Sequence, residues 1–95
     1  MTRRDAAGLD IYDYNTLTDA KEEVIEELES ERETLLSLRY ATAIKLVTQG
    51  KNAAELDIDT LNGEIEQKEG EIEQAQNELK ALQDARFALA LEVAR

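Results

Sequence analysis

Apolar residues in the second half of the chain recur in alternating steps of three and four. Positions 58, 61, 65, 68, 72, 75, 79, 82, 86, 89 and 93 read Ile, Leu, Ile, Lys, Ile, Ala, Leu, Leu, Arg, Leu and Val, nine of the eleven apolar. An alternation sustained that far keeps one stripe of a helix facing a partner helix, as in a heptad seam. Inside it, Gly63-Glu64-Ile65-Glu66-Gln67 recurs seven residues later as Gly70-Glu71-Ile72-Glu73-Gln74, a local heptad duplication. The first half carries a weaker seam at 17, 21, 24, 28, 31, 35, 38, 42 and 45, reading Leu, Lys, Val, Leu, Glu, Leu, Leu, Thr and Lys.

Cap chemistry bounds these helices. Thr16 or Thr18 can serve as N-cap of the first, with Asp19, Glu22 and Glu23 complementing its dipole. Gly50 suits a left-handed stop, and Asn52-Ala53-Ala54-Glu55 has the form of a capping box. The predicted organisation is an arm over 1–15 and a helical hairpin over 16–95, with helix one at about 17–49, a turn at 50–52 and helix two at about 53–94. Folding back at Gly50 makes facing residue numbers add to about 100. Leu28 then meets Ile72, Leu35 meets Ile65, Leu38 meets Leu61, Val24 meets Ala75 and Leu17 meets Leu82. The fold class predicted is all-α: an antiparallel two-helix coiled-coil hairpin with an N-terminal arm, open to dimerisation into a four-helix bundle. At about 1.5 Å per residue the helices would run roughly 50 and 60 Å. The last dozen residues would then overhang the start of helix one, beside the arm.

The seam's two intruders, Glu31 and Lys68, also face each other in this register. Two readings of that pair stand. A matched pair penalises a slipped alignment, which would set each charge against an aliphatic layer. Alternatively, two long side chains snorkel to water from a thin seam.

Composition agrees with long helices. The chain has 95 residues, no Pro, no Trp, one Phe and three Tyr, and it is rich in Ala, Leu, Glu and Gln, mostly good helix formers. Twenty-two acidic against eleven basic residues give a formal charge of −11, which opposes direct contact with nucleic acid or an anionic membrane. No run of about 18 apolar residues is present. The start, Arg3-Arg4-Asp5-Ala6-Ala7-Gly8, is unlike a secretory leader. The setting expected is cytoplasmic, or otherwise intracellular or within a virion.

Catalytic chemistry has little to draw on. Without His or Cys, the usual triads, thiolate nucleophiles and zinc sites are excluded. Glu22/Glu26, Glu23/Glu27 and Glu69/Glu73 lie one turn apart, but the Glu-x-x-His pattern of di-iron bundles is absent. No catalytic residue, cofactor or metal is assigned. The acidic runs have a second reading. Residues 19–33 hold eight acids and two bases, and 55–78 hold nine acids and one base. Such a shaft could occupy a basic groove that normally takes nucleic acid, as small viral inhibitors do, or it could simply keep the helices soluble. Gly63 and Gly70, at outer heptad positions, fit either close approach by another backbone or drift within the duplicated repeat.

Apolar residues off the seams point to contact surfaces. Leu36, Tyr40, Ala43, Ile44 and Val47 recur on the back of helix one, where a lone hairpin leaves them wet. A second hairpin, a different protein, or the chain's own arm or end could cover them. A second patch, Phe87 to Ala94 and chiefly Phe87 and Leu91, is apolar almost all round and must be enclosed. Ile11, Tyr12 and Tyr14 of the arm lie near it in this register, and Arg86 would find Asp13.

No family signature is present. Hairpins of the Trp-x-Gly type carry that motif at the turn, which here reads Thr48-Gln49-Gly50-Lys51. Prefoldin-like chains insert strands between their helices, and three residues leave no room for them. The function expected is a non-enzymatic structural or assembly protein that self-associates or docks in a larger complex, in the style of small phage assembly or accessory proteins. The alternative is an acidic inhibitor or adaptor. Its partners would be proteins, a second copy among them, with neither nucleic acid nor membrane bound directly.

Overall fold

The computed structural model describes residues 3–50 and 58–94. Two helices, α1 (Ile11–Gln49) and α2 (Ile58–Val93), pack against each other as a hairpin, and an N-terminal stretch precedes α1. No strand occurs among the described residues. The capping box expected at Asn52 and the first residues of helix two lie outside them. No helix of the described chain is long and apolar enough to cross a membrane.

α1 starts six residues before the position expected from the threonines. Asp10 is its N-cap: the Asp13 amide donates to Asp10 Oδ1 (2.8 Å), and the Asp10 amide donates back to Asp13 Oδ2 (3.0 Å). This is a reciprocal capping box built from two aspartates. Leu9 before the cap and Tyr14 four residues into the helix line one cleft, in the positions of a hydrophobic staple. Thr16 and Thr18 sit inside the helix, their hydroxyls donating to the carbonyls of Tyr12 (3.1 Å) and Asn15 (3.0 Å). A threonine can satisfy its hydroxyl that way without ending a helix, which is why it is an ambiguous start signal. At the other end Gly50 takes φ +68° and its amide donates to the Leu46 carbonyl (3.1 Å). That is the left-handed stop a glycine permits at least cost.

The chain divides into two compact units, Met1–Ile25 with Gln74–Arg95, and Glu26–Glu73. Each pairs one stretch of α1 with one of α2. In the first, Arg86 Nε donates to Asn15 Oδ1 (2.7 Å) and Lys21 pairs with Glu78 (2.6 Å). In the second, Lys68 pairs with Glu31, and an Arg39 guanidinium nitrogen donates to Asn62 Oδ1 (3.2 Å). The numbers of each pair add to 99 or 101, the antiparallel register that folding at Gly50 implies.

The seam of α2 falls where its heptads place it. Leu61, Ile65, Ile72, Ala75 and Leu89 are buried, and Ile58, Lys68, Leu79 and Leu82 half-buried; Arg86 and Val93 are exposed. The seam of α1 is rotated from the expected one. Lys21, Leu28, Leu35 and Thr42 do face inward. Their companions are Thr18, Ile25, Arg32, Arg39 and Leu46, all buried or half-buried. Leu17, Val24 and Leu38 are 40, 43 and 52% exposed. Arginine stems can fill such inward positions, because their three methylenes cover an apolar layer. Arg39 anchors that side to Asn62, whereas Arg32 Nε is buried with no hydrogen-bond partner.

The N-terminal stretch is wound on Asp5. Its carboxylate accepts the amides of Ala7 (2.9 Å) and Leu9 (3.1 Å) and the Tyr14 hydroxyl. Gly8, at φ +81°, closes the turn by donating to the Asp5 carbonyl (2.9 Å). The Tyr14 hydroxyl, then the Leu9 amide, hold the Asp5 carboxyl below its ordinary value of 3.8, and Asp5 in turn raises Tyr14 above 10.0. Arg4 donates to the Gly8 carbonyl (2.6 Å) and pairs with Asp13 (3.2 Å).

Candidate functional site

Between Glu33 and the end of α1 the helix changes character. Residues 34–50 contain no acid and two bases, Arg39 and Lys45, after a run that is strongly acidic. With Leu35, Arg39, Thr42 and Leu46 half-buried toward α2, helical spacing puts the apolar positions 36, 40, 43, 44 and 47 on another side. Tyr40, Ile44 and Val47 are 74, 51 and 82% exposed, while Leu36 and Ala43 are half-buried. Tyr40, Ala43, Ile44, Val47 and Thr48 together line a shallow depression. The lining offers one phenol, one threonine hydroxyl and aliphatic carbon.

The second apolar patch is split. Leu89 is 2% exposed, and the turn of the N-terminal stretch comes against its side of α2: Asp5, Ala6 and Ala7 line a cleft with Ala85, Ala88, Leu89 and Glu92. Arg3 pairs with Glu92 at 3.7 Å. Phe87 and Leu91 are outside that cover, at 66 and 49% exposed. Of the three arm residues expected to enclose the patch, Tyr14 is buried and Ile11 half-buried, but Tyr12 is 71% exposed. Arg86 finds Asn15 rather than Asp13, because Arg4 holds the Asp13 carboxylate.

Glu31 and Lys68 are in contact as an ion pair across the helices, and Lys68 also reaches Glu71 at 3.5 Å. The hydrogen bond that the Lys68 ammonium donates to Glu31 raises its pKa above the ordinary value, with burial acting against it. The Lys21–Glu78 pair escaped the sequence reading. Lys21 was visible as a charge in the seam of helix one, but Glu78 lies outside the seam of helix two. Lys21 holds the Glu78 carboxyl below its usual range, with help from Gln74. The glutamate pairs at 22/26, 23/27 and 69/73 are all exposed, and no group of three or more metal-ligating side chains occurs among the described residues. Gly63 and Gly70 look onto open space: a Cβ built on either meets nothing within 4 Å.

The class this fold defines is an all-α helical hairpin with a folded N-terminal stretch. No protein-family model, curated protein or solved structure matches the chain.

Proposed function

We propose that this chain is a non-enzymatic structural or assembly protein whose α1 face, from Leu36 to Val47, docks another protein chain. The observation that carries this reading is the exposure of Tyr40, Ile44 and Val47 side by side on one helix face. Burying an aliphatic or aromatic side chain is worth about 1.5–3 kcal/mol. Several left wet together on one face therefore form a surface that gains free energy when covered. Residues 34–50 add no negative charge to that face, although Asp59, Glu64 and Glu66 are exposed on the stretch of α2 beside it. We read the pairing of the two helices as a coiled coil, on the heptad spacing of the buried α2 positions.

The test is a chain carrying Tyr40→Glu with Ile44→Glu, compared with the native chain by in-source cross-linking and mass spectrometry. Both positions are exposed, so the variant should stay helical and still melt cooperatively. The contacts of residues 36–48 should disappear. An unchanged cross-link pattern in a folded double variant would refute the reading.

A further inference from the structure

Granting that docking reading, we infer that the occupant of this face is a second copy of the chain, crossing antiparallel about a two-fold axis at Ala43. Two observations choose that occupant. The first is shape. Tyr40, 74% exposed, stands on the rim of a shallow depression that Ala43, Ile44, Val47 and Thr48 line with it. A two-fold contact needs a patch complementary to itself, in which residue i meets j of the copy and j meets i. Crossing at Ala43 sets each Tyr40 over the other chain's Ile44 and Val47, with the small alanines letting the backbones approach.

The second is charge. A chain of formal charge −11 repels its own copy over most of its surface. The acid-free stretch of α1 spans 34–50, and its midpoint lies beside Ala43. Glu33 is ten residues from the crossing, about 15 Å along the axis at 1.5 Å per residue. In an antiparallel pair the two Glu33 side chains are then about 30 Å apart, several times the screening length of about 8 Å at physiological salt. A parallel pair would lay Glu26, Glu27, Glu29, Glu31 and Glu33 along the same residues of the copy. Along α1, charge thus favours the antiparallel direction. Of the two bases near the crossing, Arg39 is turned to Asn62, and Lys45 is exposed with a stem long enough to swing clear.

The native sequence has no cysteine, so single substitutions report cleanly. Ala43→Cys should form an intermolecular disulfide under mild oxidation, because residues on the axis face their own copies. Val47→Cys should join at least tenfold more slowly: position 47 is displaced from its copy by about 12 Å along the axis, beyond disulfide reach. Sedimentation equilibrium of the native chain should give a dimer, and Tyr40→Glu a folded monomer. A native chain that stays monomeric at every concentration, a dimer that survives Tyr40→Glu, or equal cross-linking at 43 and 47 would each overturn the proposal. The in-source cross-linking above separates the two failures. If the native chain is monomeric but contacts to 36–48 are still lost in the double variant, the second copy falls and the docking face stands.

Discussion

Within the unit that holds the N-terminal stretch, both helices bury side chains: Tyr14, Thr18 and Ile25 from α1, Ala75 and Leu89 from α2. Within the unit over Glu26–Glu73, α2 buries Leu61, Ile65 and Ile72, while no residue of α1 is more than half-buried. The local physics differs by one element. Two helices alone can enclose a single thin seam, and a third layer, even a turn wound on one aspartate, closes one more side of it. The lesson is that a two-helix unit of this composition leaves an apolar helix face open unless something else covers it. The first unit meets part of that need from its own chain, at Leu89 and Tyr14, while its Tyr12, Phe87 and Leu91 stay exposed; in the second, no described residue covers Tyr40, Ile44 and Val47.

The largest expected effect tests this contrast at its closed side. Leu89→Ala should lower the unfolding free energy by about 2–4 kcal/mol, as truncation of a buried leucine does. Val47→Ala on the open face of α1, with the chain kept dilute, should change it by less than about 0.5 kcal/mol. Urea denaturation of the two variants decides it, and similar losses would erase the distinction between the units.

Next come the glycines, where opposite signs are expected. Gly63→Ala and Gly70→Ala should each stabilise by about 0.5–1 kcal/mol, since both sit inside α2 with open space around an added Cβ. Gly50→Ala should destabilise by about 1 kcal/mol, because its φ of +68° is strained for any residue with a Cβ. Thermal melts of the three variants check the signs.

A smaller effect is pH-dependent and belongs to the closed unit alone. Asp5 has a depressed pKa in the fold. Its contribution is therefore present above the ordinary value of 3.8 and is lost as pH falls through the depressed one. Tyr14 is raised, so its contribution is present below 10.0 and is lost as pH rises through the raised value. Tyr14→Phe should flatten the alkaline loss and weaken the acid one. Melting temperature against pH for both chains reads it out, and superimposable profiles would remove the Asp5–Tyr14 bond from the account.

The smallest effect concerns the cross-helix ion pair. Reversing one charge, Glu31→Lys or Lys68→Glu, should lower the melting temperature slightly, and the double reversal should restore it. High salt should shrink the difference, as both groups are partly exposed.

The hairpin, its register and the α2 seam were legible because apolar letters at heptad spacing and a glycine stop are direct readouts of burial and backbone geometry. The facing of Glu31 and Lys68 followed from the same register. The rotation of the α1 seam was not legible. Arg32 and Arg39 count as polar in any hydrophobic pattern, yet their stems occupy inward positions, while Leu17, Val24 and Leu38 flank the seam. The helix start was missed for a related reason. Thr16 and Thr18 can cap or back-bond, and the working signal was an aspartate pair, Asp10 and Asp13, whose reciprocity shows only in three dimensions. The stripe at 36–47 could be placed on the helix from sequence, but the exposure of its Tyr40, Ile44 and Val47 could not.

Three tyrosines serve as built-in probes of the central contrast, one under the folded turn and two in the open. Photochemically induced nuclear polarisation on the dilute native chain should enhance Tyr12 and Tyr40, which are 71 and 74% exposed, and leave Tyr14, at 3%, dark. A Tyr14 signal as strong as that of Tyr40 would contradict the account, because the turn wound on Asp5 would then leave Tyr14 uncovered.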